Sequence, residues 1–158
     1  MKKTALLIPF TFLLSACGSF APAEGTWNLS APEVTEDTCN FPSDDSEEAE
    51  SEDSTFTLAL TDDGFTFTGD QEGDEAVACT LDGQDFSCET DSGTTEEETF
   101  SMTIASTLSG SFASDKEATI NISVDVSCEG DNCAVVGEQI GTTFPCGIDA
   151  TGNATVSE

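Results

Sequence analysis

Apolar and polar side chains alternate along most of this sequence, and this alternation restricts the chain to β-structure. The clearest segment runs from Ala118 to Cys128, where every second side chain is apolar. A second long segment begins near Phe100, and we expect residues 109–111 to bend or interrupt it. No segment has a convincing helical period. The pattern predicts an all-β fold, an antiparallel meander of about eight to ten strands in a sandwich or small up-and-down barrel.

Two hairpins can be aligned residue by residue. The first turns at an Asp-Asp-Gly sequence and pairs Leu60 with Phe65, which brings the apolar faces of its two arms together. The second pairs Leu81 with Phe86 across an expected four-residue loop, residues 82–85. Both alignments place every second side chain on one inward face, as a half-buried antiparallel sheet requires.

The start of the chain has the layout of a secretory signal. Lys2 and Lys3 provide positive charge, and the apolar run Ala5 to Leu14 that follows is too short to span a bilayer, which needs about 20 residues. The closing sequence Leu14-Ser15-Ala16-Cys17 resembles the lipobox of bacterial lipoproteins. This resemblance implies cleavage before Cys17, and a diacylglyceryl group and an N-acyl chain such as palmitate on that cysteine.

The same resemblance implies a location. Gly18 stands where enteric bacteria use Asp to retain lipoproteins at the inner membrane, so the chain is expected at the outer membrane, on its periplasmic or its outer face. The expected organisation is a signal peptide, residues 1–16, then a lipidated cysteine and small-residue tether, residues 17–25. A single all-β domain, residues 26–158, follows and contains an acidic loop, residues 43–54.

Six cysteines follow Cys17, and an even number in an exported chain favours disulfides over a thiolate metal site. The second hairpin sets two of them directly opposite each other, within disulfide range. A turn after Cys128 is expected to return the chain as a strand, which pairs the next two and sets Val126 opposite Val135. The last two pair by elimination and tie the start of the domain to its end. The predicted disulfides are Cys79–Cys88, Cys128–Cys133 and Cys39–Cys146.

The charge of the chain excludes some partners. It has 32 acidic and three basic residues, and Lys116 is the one basic residue outside the signal. Such a surface repels nucleic acid and anionic lipid headgroups, so we expect no nucleic-acid partner and membrane attachment through the acyl chains alone. Because the charges repel each other in the compact state, the fold should be more stable in salt or with divalent cations.

Gly25-Thr26-Trp27, near the domain start, resembles the G-x-W motif of lipocalins. In that family the Trp plugs the base of an eight-stranded barrel, so the resemblance implies a barrel that carries a small apolar ligand. The chain has no Tyr, and its basic residues are all Lys, whereas that family's other motifs use Tyr and Arg. For this reason the sandwich is preferred to the barrel.

One loop offers candidate metal ligands. Asp70, Glu72, Asp74 and Glu75 crowd a stretch punctuated by glycine, and carboxylate oxygens are the ligands that calcium prefers. Catalysis is not expected, because the chain has no His and its thiols are expected to be paired.

The sequence therefore predicts a lipid-anchored lipoprotein of the cell envelope with a non-catalytic structural or binding role. No cofactor is expected besides the covalent lipid. A lipocalin-like carrier of a small apolar ligand and a calcium-binding surface domain are the alternatives.

Overall fold

The structure, a computed structural model, describes residues 20–41, 53–70 and 74–157. The predicted signal peptide, Cys17, Glu72 and most of the acidic loop lie outside these ranges. The described residues form ten strands and one helix. These are β1 Gly25–Leu29, β2 Glu33–Asp37, β3 Ser54–Leu60, β4 Gly64–Gly69, β5 Val77–Asp82, β6 Asp85–Cys88, β7 Asp91–Glu96, β8 Ser101–Ser114, β9 Glu117–Glu129, α1 Cys133–Ile140 and β10 Cys146–Val156.

Eight of these strands form a closed antiparallel barrel in the order β1-β3-β4-β5-β6-β8-β9-β10. The barrel closes where β10 pairs with β1 and Val156 lies opposite Trp27. Most neighbouring strands also follow one another in the sequence, as in an up-and-down meander. The all-β meander is thus confirmed. The preference for a sandwich was wrong, because the pairing that closes the barrel joins the two ends of the domain.

Strands β2 and β7 extend the sheet beyond the barrel at one end. β2 pairs with residues 148–151 of β10, and β1 pairs with residues 154–156 of the same strand. In the same way, β7 pairs with residues 101–106 of β8, and β6 pairs with residues 109–111. The extended end also carries α1, and we call it the helix end. The opposite end carries the β3–β4, β5–β6 and β8–β9 turns, and we call it the turn end.

Aromatic side chains fill the barrel. The rings of Phe65, Phe86 and Phe112 meet with centroids 5.1 to 5.7 Å apart, while Trp27 and Leu58 are only 0% and 2% exposed. No polar or charged residue is among the buried residues in the described part of the chain. Burial of apolar surface, at about 25 cal/mol per Å², is therefore the main stabilising contribution of this interior.

A smaller cluster lies under the sheet extension at the helix end. It contains Cys39, Val126 and Cys146, and the partly buried Phe144 and Ile148 pack against it. This cluster gives the extension its own apolar packing, separate from the barrel interior.

Residues Cys133–Ile140 form helix α1, where the sequence predicted a returning strand. The predicted pairing of Val126 with Val135 is therefore wrong. Val126 lies between residues of β8 and β10, so β9 has no free edge at this position for another strand. The helix ends at Gly141, whose φ of 76° is the left-handed conformation that glycine adopts readily.

Both predicted hairpin registers are observed. The turn of the second hairpin is tighter than the expected four-residue loop, because Asp82 and Asp85 pair with each other as strand residues. Gly83 and Gln84 alone make the turn, and Gly83 has a φ of 69°. The apolar register is unchanged, since the extra pair extends the hairpin without shifting it.

Strand β8 runs unbroken through Gly110, so the expected interruption at residues 109–111 does not occur. Gly110 lies directly opposite Phe86. A Cβ atom at Gly110 would lie 2.6 Å from the Phe86 ring and would also collide with the carbonyl oxygen of Thr119. The glycine therefore makes room for an aromatic ring of the core.

Candidate functional site

Residues 20–24 lie across the turn end of the barrel, and we call this segment the strap. The ring centroid of Phe20 is 5.4 Å from that of Phe112, and Pro22 is buried. The backbone N–H of Ala23 donates to the carbonyl oxygen of Asp115 at 2.7 Å. The sequence predicted a tether up to residue 25. These contacts correct that boundary, because the strap belongs to the folded barrel.

Trp27 contacts the strap from the barrel interior. Its side chain is fully buried, and its Nε1–H donates to the carbonyl oxygen of Ala23 at 3.0 Å. The ring stacks on Phe56 and meets the edge of Phe112, with centroids 6.2 and 5.9 Å apart. A buried Trp near one end of an eight-stranded barrel is what the G-x-W resemblance implies, while the family assignment itself stays a prediction.

The strap is tied to two sides of the barrel. Beyond the Ala23 bond to the β8–β9 turn, the Glu24 carboxylate accepts from the backbone N–H of Leu60 at 3.2 Å, at the end of β3. The strap therefore crosses the barrel mouth between β3 and the β8–β9 turn. Only three peptide bonds join residue 17 to the first residue of the strap. The strap therefore limits how far residue 17 can lie from the barrel.

The turn end is acidic and carries Lys116, the one basic residue after Lys3. Its three turns expose carboxylates and the ammonium group of Lys116 to solvent. The exposed charged residues in these turns and at the strand ends beside them are Asp62, Asp63, Asp82, Asp85, Asp115 and Lys116.

The structure contains the three disulfides that the sequence predicts. Their Cα–Cα distances are 4.9 Å for Cys39–Cys146, 3.8 Å for Cys79–Cys88 and 5.7 Å for Cys128–Cys133. One bridge lies inside the barrel, one joins β9 to the start of α1, and one joins the segment after β2 to β10. Every cysteine in the described part of the chain is therefore paired.

The candidate metal ligands do not form a site among the residues that the structure describes. Asp70, Asp74 and Glu75 are exposed, and Glu72 lies outside the described ranges. Asp70 accepts a hydrogen bond from the hydroxyl of Thr55 at 2.7 Å, which holds β3 and β4 together. No group of three His, Cys, Asp or Glu side chains in the described ranges is arranged to hold a metal ion. Calcium binding stays a prediction.

An acidic cleft at the helix end was not anticipated from the sequence. Its lining includes Glu96, Glu97 and Glu98 at and just after the end of β7, together with Glu129 and Asp131 at and just after the end of β9. The three successive glutamates are the sequence feature that could have indicated this cleft. Their proximity to the turn after β9, however, depends on the β7–β8 and β8–β9 pairings. The cleft concentrates negative charge on an open surface, where mobile cations screen it.

The barrel interior leaves a cavity of only about 50 Å³. Its lining is entirely aliphatic and aromatic, and includes Phe56, Phe67, Leu108 and Ile120. Pockets for small-molecule ligands have volumes of about 300 to 1,000 Å³. This cavity gives no support to the carrier alternative, because the phenylalanine rings occupy the space that an apolar ligand would need.

Comparisons with protein-family profiles, with curated protein sequences and with solved structures find no significant match. Among the described residues, no helix has the length and apolar character needed to cross a membrane.

Proposed function

We propose that this chain is a lipid-anchored lipoprotein of the cell envelope, whose barrel is a non-catalytic structural or binding module. The observation that carries the proposal is the sequence Leu14-Ser15-Ala16-Cys17 after a basic start and a short apolar run. In this proposal residues 1–16 are removed, and Cys17 carries the diacylglyceryl and N-acyl groups.

The cysteine pairing supports this assignment. The chain has seven cysteines, and the six in the described ranges form three disulfides with one another. Cys17 is the seventh, so no described cysteine competes with lipid for its thiol. Disulfides are also typical of exported proteins, in agreement with an export signal.

The proposed location is the outer membrane, because Gly18 rather than Asp follows the lipidated cysteine. Two or more acyl chains hold a protein stably at a bilayer, whereas a single chain holds it only marginally. The acyl chains are needed for attachment, since the acidic surface of the barrel is repelled by anionic headgroups.

Substitution of the cysteine tests the proposal. Cells grown with an alkyne-tagged palmitate should label the wild-type chain, and the chain should sediment with membranes. The Cys17→Ser variant should lose the label completely and should leave the outer-membrane fraction. Ser15→Gly keeps a small residue before the cleavage site and serves as the matched control, with labelling expected to persist. Equal labelling of the wild type and Cys17→Ser would contradict the proposal.

A further inference from the structure

The strap limits the distance between the proposed lipid anchor and the folded barrel. Three Cα–Cα steps separate Cys17 from Phe20, and each step spans at most about 3.8 Å, so the reach is about 11 Å. Phe20 itself is packed against the barrel core through Phe112. An acyl group on Cys17 is therefore attached close to the turn end, at a distance of at most about one strand length, whatever path residues 17–19 take.

The opposite end is much farther from this point. Strand β9 begins at Glu117 beside the turn end and finishes 12 residues later at Glu129 beside α1. At about 3.3 Å per residue its length is about 40 Å, which a strand tilt of about 40° reduces to about 30 Å along the barrel axis. Because the reach of about 11 Å is much shorter than this length, the lipid anchor at Cys17 can lie beside the turn end but not beside the helix end.

We infer that the turn end of the barrel faces the lipid headgroups and that the helix end, with the acidic cleft, points away from the membrane. This inference rests on the proposed lipid anchor at Cys17. The surface that meets the headgroups consists of the β3–β4, β5–β6 and β8–β9 turns and the strap. Its partner is the headgroup layer of the bilayer that holds the acyl chains.

The charge of the turn end determines whether it can approach anionic or zwitterionic headgroups. Its turns and the adjacent strand ends expose five aspartates and Lys116, so it is repelled by an anionic layer and accepted by a zwitterionic one. The repulsion decays over about 8 Å at physiological ionic strength, a distance comparable to the reach of the anchor. Close approach therefore depends on screening by cations when anionic lipids are present.

A single lysine makes the orientation measurable. Lys116 lies in the β8–β9 turn and is the one lysine outside the signal, so an amine-reactive dye on the acylated protein reports the turn end. A second variant, Lys116→Gln with Asp131→Lys, moves the dye to the turn after β9, at the helix end. The Lys116→Gln variant alone has no lysine outside the signal. The dye that it still takes up therefore measures the background labelling at the start of the chain.

The acylated proteins are added to phosphatidylcholine vesicles that contain a nitroxide-headgroup lipid, a quencher that acts at short range. We expect several-fold stronger quenching of the dye at Lys116 than of the dye on the Asp131→Lys variant. Equal quenching at both ends, or stronger quenching at the helix end, would overturn the inferred orientation.

The strap is tested separately. Phe20→Ala combined with Ala23→Pro removes the ring contact and the N–H that bonds to Asp115, which lengthens the free segment. The variant should still float with the vesicles, while its quenching at Lys116 should fall towards that at the helix end. Phe41→Ala, at an exposed position near the helix end, is the matched control and should leave the quenching unchanged. Unchanged quenching in the strap variant would contradict the role given to the strap.

Flotation of the protein with the vesicles distinguishes a failure of the proposed lipid anchor from a failure of the inferred orientation. If the wild-type protein carries no lipid and does not float, the proposed function fails and the orientation fails with it. If the protein floats but both ends are quenched alike, the orientation alone is wrong.

Discussion

Gly110 is a residue whose small size is required by the packing of the barrel. It is a small residue at an inward position, directly opposite Phe86, and the Phe86 ring occupies the volume where its Cβ would lie. From the sequence, a glycine between two serines indicates a bend. The actual reason for it is a side chain on a neighbouring strand, which no local pattern reveals.

Gly110→Ala should destabilise the fold by about 1 to 3 kcal/mol, because the added methyl group forces the ring and the adjacent backbone apart. Urea unfolding followed by Trp27 fluorescence measures this change. Gly93→Ala is the matched control, since it is also a strand glycine and nothing lies within 4 Å of its Cβ position. A Gly110→Ala variant as stable as Gly93→Ala would contradict the packing described for Phe86.

Trp27 belongs to the Gly25-Thr26-Trp27 motif, whose resemblance implies a Trp that plugs a barrel. The residue is fully buried near the turn end, while the resemblance itself stays a prediction. The hydrogen bond from its Nε1 to Ala23 was not foreseen, because it depends on the path of the strap.

At the scale of elements, the hairpins were predicted correctly because their registers are local. Period-two alternation, a turn sequence and two opposing cysteines all select the same pairing of Leu81 with Phe86. The pairing of β1 with β10 has none of these signals, and it is this pairing that distinguishes a closed barrel from a sandwich.

Helix α1 was missed for a physical reason. Its sequence contains two adjacent valines and a glycine, residues with low helix propensity, and the valines favour strands. Tertiary context decides the outcome, since both edges of β9 are already paired up to Val126 and the Cys128–Cys133 bridge holds the start of the segment beside that strand.

The sequence predicts a tether in place of the strap because the small residues of this segment are typical of a linker. Pro22 and Ala23 carry little apolar surface by themselves, so composition indicates a tether. The order of the strap depends on Phe112, which packs against Phe20, and on Trp27 and Asp115, which both bond to Ala23.

The disulfides should differ in their contributions to stability. In the loop-entropy treatment, the Cys39–Cys146 bridge, with a sequence separation of 107, contributes about 5 kcal/mol, whereas the Cys79–Cys88 bridge, with a separation of 9, contributes about 3 kcal/mol. The double variant Cys39→Ala/Cys146→Ala should therefore unfold at lower urea concentration than Cys79→Ala/Cys88→Ala.

These two variants control for each other, because all four cysteines are buried and both replacements leave similar packing defects. Equal midpoints, or a greater loss from the shorter loop, would mean that the long-range bridge does not restrict the unfolded chain as described.

At the scale of the whole molecule, the chain combines an apolar barrel interior with 32 acidic and only three basic residues. The repulsion among surface carboxylates opposes compaction and is reduced by salt. Raising NaCl from about 0.01 M to about 0.5 M shortens the screening length from about 30 Å to about 4 Å. The melting temperature should rise by several degrees over this range.

The triple variant Glu96→Gln/Glu97→Gln/Glu98→Gln provides the control for this prediction. It removes three charges from the acidic cleft while leaving the apolar core unchanged, so its melting temperature should respond less to salt. A wild-type melting temperature that does not change with salt would show that surface repulsion has little effect on the fold.

The mass of the native, non-reduced protein purified from membranes tests the central claim most directly. We expect a chain that begins at Cys17, carries a diacylglyceryl group and an N-acyl chain, and lacks the six hydrogens lost in three disulfides. A chain with an unmodified residue 17, or one whose six other thiols react freely without reduction, would contradict the account of a disulfide-linked barrel held at a membrane by lipid.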